Sequence, residues 1–471
     1  SLKFPAPRSS QLGIKTTAQD RARDHAEDRH RARANLVDLV WSSGYRALDH
    51  GRWRDAGGRW PVHAALRRGA REGSAERSYT MLPQLLLLLL LQMAAGQVSA
   101  ERFLRTTAIG PAGDAEDVYG LLERILPGER GSFIFQLASE GSPSTVQETK
   151  LAGSDAAGFT VSASGGKVKI TASGTNELAA GLGFYLREHC SCVIGWPRGG
   201  GSRIAKPKAG WPDALIVKHR IVPWSYAMNV CTHSYTLVWY GWAEWEQFID
   251  WMALSGINNY LAETGQEEVA YKVLTKLGLD DDTIRNWFNG PALLTWSRGQ
   301  NEYGGDIAGP LPRSWMKAQW SLQKQILNRT RALGMVGQLP AFQAAVPVAL
   351  KDIKSDSNMT DNGQGTAWMD SLDPLFLSIA GLWMETMIAD FGTDHWYQLD
   401  GYFNGGTAPW DDDTDGTTNA LGALAVAPPP PAPPDPNWPR RGAKAWASLA
   451  NTDKDAVWSF QGWAINNADK A

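Results

Sequence analysis

Residues 229–267 read NVCTHSYTLVWYGWAEWEQFIDWMALSGINNYLAETGQE. The stretch opens in a polar turn, becomes an aromatic amphipathic helix over 242–254 and ends in a short apolar strand over 257–262. Trp242, Trp245, Ile249 and Met252 recur at three- and four-residue spacing, which predicts a buried helical stripe. Glu246 and Asp250 lie on another face, where like charges four apart repel mildly. They read as a solvated face or as partners of a distant Lys or Arg, not as catalytic groups. The strand runs directly into ETGQE, so Glu263 sits at its C-terminal end. Glu267 falls in the first turn of the next helix, where the helix dipole favours a carboxylate.

The same unit recurs downstream. Strands are predicted at 221–224, 257–262, 335–340, 396–400 and 457–461, and helices at 242–254, 267–277, 313–333 and 374–391. Alternating strands and helices imply a parallel sheet. Five such strands are part of a (β/α)8 barrel, whose active site gathers at the C-terminal strand ends. The expected class is therefore α/β, with an incomplete (β/α)8 TIM-type barrel over 220–471. Asp400 closes the 396–400 strand. The glycines at 401, 405 and 406 beyond it let the backbone approach a ligand. Asp400 is the leading carboxylate candidate, and a turn-anchoring Asp is the plain alternative. A Pro-rich insert over 425–441 contains PPPPAPPDP and reads as a stiff spacer.

Residues 101–213 precede the barrel and read as a small accessory α/β domain. Helices are predicted at 115–125 and 177–188, and strands at 132–137, 158–162 and 167–172. A Gly165–Gly166 turn joins the last two strands. Thr175 or Asn176 is placed to cap the second helix.

Residues 1–80 are densely and mixedly charged with weak apolar periodicity, the composition of a disordered leader. Met81 then begins a segment containing Leu85 to Leu91 in unbroken succession, with Val98 and Ala100 at the −3 and −1 positions of a secretory cleavage site. The apolar run is shorter than the roughly 20 residues a membrane helix needs. Residues 81–100 are therefore expected to be a signal peptide, with residues 1–80 not native to the mature protein. Asn328 and Asn358 each begin an Asn-X-Thr sequon, the glycosylation signal of that route.

Composition narrows the chemistry. The net charge of −3 carries no single-sign field, and nucleic acid is not an expected partner. The 22 Trp residues exceed what most cores use and suit sugar stacking, although most are expected in the core. Cys190, Cys192 and Cys231 show no zinc spacing, and neither a G-x-S-x-G elbow nor a phosphate loop occurs. No metal and no cofactor are expected. Cys231 is either a pocket thiol or a small buried apolar residue.

NVCTHSY, EWEQFIDWMALSGIN, GQE, GPLPRSW, LGMVGQLPAF, FGTDHWYQLD and VWSFQGW, in that order, resemble the alpha-N-acetylglucosaminidases. That resemblance implies a lysosomal or extracellular glycoside hydrolase removing terminal α-linked N-acetylglucosamine from heparan sulfate. It also implies a retaining mechanism in which two carboxyl groups stand about 5–5.5 Å apart. Asn229, Cys231 and Gln266 match the family as substrate-binding positions. The acid Glu of the family's D-T-F-N-E is met here by Asn404, an amide with no proton to give. Glu263, Ile307 and Ala345 stand where the family has Trp, Trp and His. The nucleophile is expected beyond Ala471. Two further readings stay open: a divergent glycosidase with Asp400 or Glu263 as acid, and a non-catalytic glycan-binding homologue. The oligomeric state is not legible.

Overall fold

The computed structural model describes residues 113–138, 157–195, 201–288, 297–298, 300, 310–361, 365–400 and 437–460. The leader, the 81–100 stretch, Asn404 and residues 425–436 of the insert lie outside them. The insert's last residues, 437–441, are not spacer but the start of a helix.

The chain first forms α1 (Ala115–Ile125), β1 (Phe133–Leu137), β2 (Gly158–Ser164), β3 (Lys167–Ala172), α2 (Thr175–Glu188) and β4 (Ala214–His219). The four strands make one sheet in the order β1-β3-β2-β4. Phe133, Phe135, Val161, Val168 and Ile170 alternate onto its inner face, where Val118, Leu122, Leu178 and Leu182 of the two helices meet them. Asp114 caps α1 by accepting from the Glu116 and Asp117 amides. The expected cap of α2 is corrected. Gly174 is the cap residue and no side chain bonds there. Thr175 and Asn176 donate instead to the Gly113 and Ile257 carbonyls, at 2.9 and 2.8 Å.

The second half begins with β5 (Tyr226–Ala227), α3 (Trp242–Leu254), β6 (Asn259–Leu261), α4 (Gln266–Lys276), α5 (Asp281–Phe288), α6 (Arg313–Ala332) and β7 (Val336–Pro340). An antiparallel excursion follows, made of β8 (Ala345–Pro347), the single turn α7 (Leu350–Ile353), β9 (Met359–Asp361) and β10 (Thr366–Met369). Then come α8 (Pro374–Phe391), β11 (Trp396–Gln398), α9 (Trp438–Ala450) and β12 (Val457–Ser459). The strands β5, β6, β7, β11 and β12 pair in parallel and in sequence order. This is the consecutive winding of a (β/α)8 barrel. Asp373 caps α8, with Pro374 in its first turn. Among the described helices α8 alone is long and apolar enough to cross a membrane. Here it buries Phe376, Ile379, Trp383 and Met387 against the barrel.

The strand expected at 221–224 forms instead at Tyr226–Ala227. Asn258 explains the shift. Its side chain accepts from the Ser225 amide at 2.8 Å and donates to the Pro223 carbonyl at 2.9 Å. Backbone groups that would join a ladder are thus taken by a side chain. Ile221 is left 97 % exposed.

The two halves are docked through helices and ion pairs. Arg124 of α1 grips Asp250 of α3 with two bonds of 2.8 and 2.6 Å; within the second half, Glu246 of α3 pairs with Arg329 of α6 at 3.1 Å. Glu246 and Asp250 are therefore partners of distant arginines. Helices α2 and α3 approach so closely that a Cβ on Gly183 would stand 1.9 Å from the Leu254 carbonyl oxygen. Gly183→Ala removes a mid-helix glycine, which alone would be favourable. The backbone clash outweighs that gain, and thermal or urea unfolding is expected to show a loss of about 1–3 kcal/mol. A variant as stable as the parent would mean that the helices are free to separate.

Candidate active site at the C-terminal strand ends

Four segments converge beyond the C-terminal ends of the strands. The first follows β5. Asn229 accepts from the Cys231 amide at 2.8 Å and starts a tight helical turn over Val230–His233. Asn229 is exposed and Cys231 half-buried. Met228 just before them holds φ at 99°, a left-handed conformation that L side chains rarely adopt. The turn is fixed to the second segment, residues 297, 298 and 300, by a 3.0 Å bond between the Ser234 and Ser297 hydroxyls.

The third segment is the end of β6. Glu263 is fully buried, and neither of its carboxylate oxygens has a hydrogen-bond partner among the described residues. Burial pushes its carboxyl well above the ordinary carboxylate range. The Arg298 charge opposes that rise, and the charges of Asp400 and Glu267 add to it. The fourth segment is the end of β11, where Asp400 is 1 % exposed and its amide donates to Gln343 Oε1 at 3.0 Å. Tyr226, at the start of β5, senses both carboxylates: burial first, then Glu263 and Asp400, raise its hydroxyl. The structure thus brings Glu263 and Asp400, singled out separately in the sequence, to one place beside a half-exposed tyrosine.

Beneath them runs a buried chain of amides. Gln266 donates to the carbonyl oxygens of Glu263 and Arg298 at 3.3 and 2.5 Å, and accepts from Gln300 at 3.0 Å. Gln300 in turn donates to the Ala341 carbonyl at 2.8 Å and accepts from the Gln343 amide at 3.1 Å. Gln343 reaches Gln398 at 2.6 Å. Gln266, matched to a substrate-binding position, is 2 % exposed and satisfied internally. Its geometry makes it a positioning residue for the backbone of Glu263. Gln300 and Ala344 hold positive φ of 57° and 73°, strain that the network over-determines.

Arg298 and His233 escaped the reading of single segments. Arg298, 1 % exposed, bonds Glu267 at 2.8 Å and Gln319 at 2.8 Å. Glu267 is therefore structural. His233 is buried, and burial together with the Arg298 charge pushes it down to about 3, so it is a neutral imidazole at physiological pH. Its place inside NVCTHSY was the one available signal. Arg298 lies in a stretch without periodicity and gave none. Below the carboxylates, Tyr226, Asn259, Gln338, Trp396, Gln398 and Ser459 line a cavity of about 300 Å3 between the strands. The wall is mostly amide and aromatic, the mixture that binds a neutral sugar through hydrogen bonds and ring faces. On the opposite end of β11, His395 and Tyr397 both bond Asp453, at 2.8 and 2.6 Å. This cluster, with Asp455, anchors the strand's start.

The family model described as the alpha-N-acetylglucosaminidase (NAGLU) tim-barrel domain matches residues 225–471, and its N-terminal-domain counterpart matches 116–213. The human alpha-N-acetylglucosaminidase is 33 % identical over 384 residues, which is 79 % of this chain and 44 % of the human protein. A family 89 glycoside hydrolase from Clostridium perfringens, solved with PUGNAc, superposes with a TM-score of 0.61 at 24 % identity, over 79 % of this chain and 38 % of that one. The same TM-score and coverage hold, at 23 % identity, for the Clostridium perfringens structure in complex with its substrate GlcNAc-alpha-1,4-galactose. The chain thus spans less than half the length of these relatives.

Proposed function

The chain belongs to the alpha-N-acetylglucosaminidase family, and on that premise we propose that it hydrolyses terminal α-linked N-acetylglucosamine from a heparan-sulfate-like glycan by a retaining, two-carboxylate route. Glu263 carries this reading. A carboxyl kept protonated by burial is the kind of acid that glycoside cleavage needs at the leaving oxygen. Asn404, at the position matched to the family's acid, is an amide and supplies no proton. Glu263 is then the proton donor, and Asp400, beside it in charge, is the partner that stabilises positive charge at the anomeric carbon. Asn229 and Cys231, at the mouth of the same loop, are the candidates for binding the sugar.

A second reading rests on the full burial of Glu263 together with the amide at Asn404: a cleft that holds the glycan without cleaving it. An aryl α-N-acetylglucosaminide separates the two. Release of the aryl group above the level of Asp400→Asn is the expected result. Saturable binding of heparan fragments with no release would overturn hydrolysis in favour of binding.

The secretory route follows from the same premise and from the 81–100 segment. Both sequon asparagines, Asn328 and Asn358, are exposed, as glycan attachment requires. Protein from a secreting host is expected to shift on a gel after enzymatic deglycosylation. No shift, with neither Asn modified by mass, would count against that route.

A further inference from the structure

At the other end of the barrel, before the N-termini of β5 and β6, a second cavity of about 230 Å3 opens between the two halves. Its wall carries Arg187 of α2 with Lys218, His219 and Arg220 from the end of β4 and the residue after it, and its one carboxylate is Glu177. Glu177 is committed to Arg220 at 2.6 Å, and that pair cancels. Arg187 and Lys218 have no carboxylate within 4.0 Å among the described residues. Arg187 has five N–H donors. The one side-chain bond it makes among the described residues is to the Leu254 carbonyl, at 3.1 Å. It is half-buried, and burial lowers it from the ordinary guanidinium range, with only a weak opposing pull from Glu188. Lys218 Nζ stands 5.3 Å above the Phe184 ring, which holds the ammonium over the cavity. His219 adds a buried Nδ1 with no hydrogen-bond partner among the described residues.

A half-buried guanidinium without counter-charge is costly, and a cavity that gathers Arg187 with the exposed ammonium of Lys218 is built for an anion. We propose that this cavity is an oxyanion site, taking a sulfate-type group through Arg187, Lys218 and His219. The group is either a free ion or a sulfate carried on an acidic sugar. Because the site lies on the opposite end of the strands from Glu263 and Asp400, its occupancy is read without any turnover. Its failure is therefore separate from failure of the hydrolase reading.

The test is thermal unfolding of the whole chain in sulfate against chloride at matched ionic strength, with calorimetry for affinity. Sulfate stabilises folded proteins generally by exclusion from their surface. The comparison therefore runs between variants. Lys218→Ala is expected to weaken sulfate binding about fivefold, and Arg187→Gln about tenfold or more. Lys218→Glu, at an exposed position that does not endanger folding, should abolish it. An identical sulfate response in the parent, Lys218→Ala and Lys218→Glu would overturn the site. A sulfated disaccharide binding more tightly than the free ion identifies a sugar-borne group, and equal affinity identifies the ion. An unsulfated disaccharide binding as tightly as the sulfated one would overturn the oxyanion assignment.

Discussion

Arg298→Ala is expected to destabilise the fold by about 3–5 kcal/mol, seen as a lower denaturant midpoint at an unchanged slope. The magnitude follows from what is left behind. Arg298 is 1 % exposed and Glu267 is 3 % exposed, so removing the guanidinium strands a carboxylate where water does not reach. Gln319 Oε1 loses its 2.8 Å donor in the same step. The consequence spreads to Glu263, because Arg298 is the positive charge that opposes its upward shift. Burial of an ion pair is not by itself stabilising, and a well-packed apolar pair often does as well. The double variant Arg298→Met with Glu267→Leu is accordingly expected to recover most of the loss. A single variant within about 1 kcal/mol of the parent would mean that Glu267 finds another partner or takes up a proton.

Periodicity made the helices legible. Residues 242–254 and 374–391 form helices at those bounds, because an apolar stripe at helical spacing is a local property of the chain. Most strands were legible to within one or two residues, but β4, paired along six residues of β2, was missed. At 221–224 the reading failed, because Asn258, more than thirty residues on, takes the backbone groups of Pro223 and Ser225. The short sheet of β8, β9 and β10 and the helix α5 left too few periodic residues to find. At the site, strand-end logic reached Glu263 and Asp400, since position after an apolar strand is also local. What the carboxylates rest on was not legible. Gln266 was named only through the GQE resemblance, as a substrate-binding position; Gln300, Gln343 and Gln398 lie far apart in the chain, and an isolated Gln carries no pattern. Only the fold shows that their amides close into one chain and that Arg298 completes it.

Glu263→Gln is expected to do two opposite things. Turnover of an aryl α-N-acetylglucosaminide should fall by about 10²–10⁴, the usual worth of a general acid. Stability near neutral pH should rise. The sign comes from proton linkage. The folded carboxyl lies above its ordinary value of 4.5, so between that value and its folded one the native state keeps a proton that the unfolded chain releases. In that window stability declines as pH rises, at about 1.4 kcal/mol per pH unit from this group alone. Below 4.5 both states are protonated and the contribution is complete. Glutamine never ionises and escapes the decline. The stability difference between variant and parent should therefore be small in acid and grow as pH rises above 4.5, whatever other groups titrate in both proteins. Turnover by the parent should hold through that window and fall only above it, once folded Glu263 loses the proton it must donate. A difference that is flat with pH would show that Glu263 ionises like an exposed carboxylate, and the buried acid would no longer account for catalysis. Full stability gain with undiminished turnover would keep the buried carboxyl and move the proton donor elsewhere, with Asp400→Asn the next variant to read. The pairing of the two effects is what separates function from packing. A carboxyl retained at the end of β6 with no hydrogen-bond partner among the described residues costs the fold stability, and chemistry at that position gives it a reason to stay.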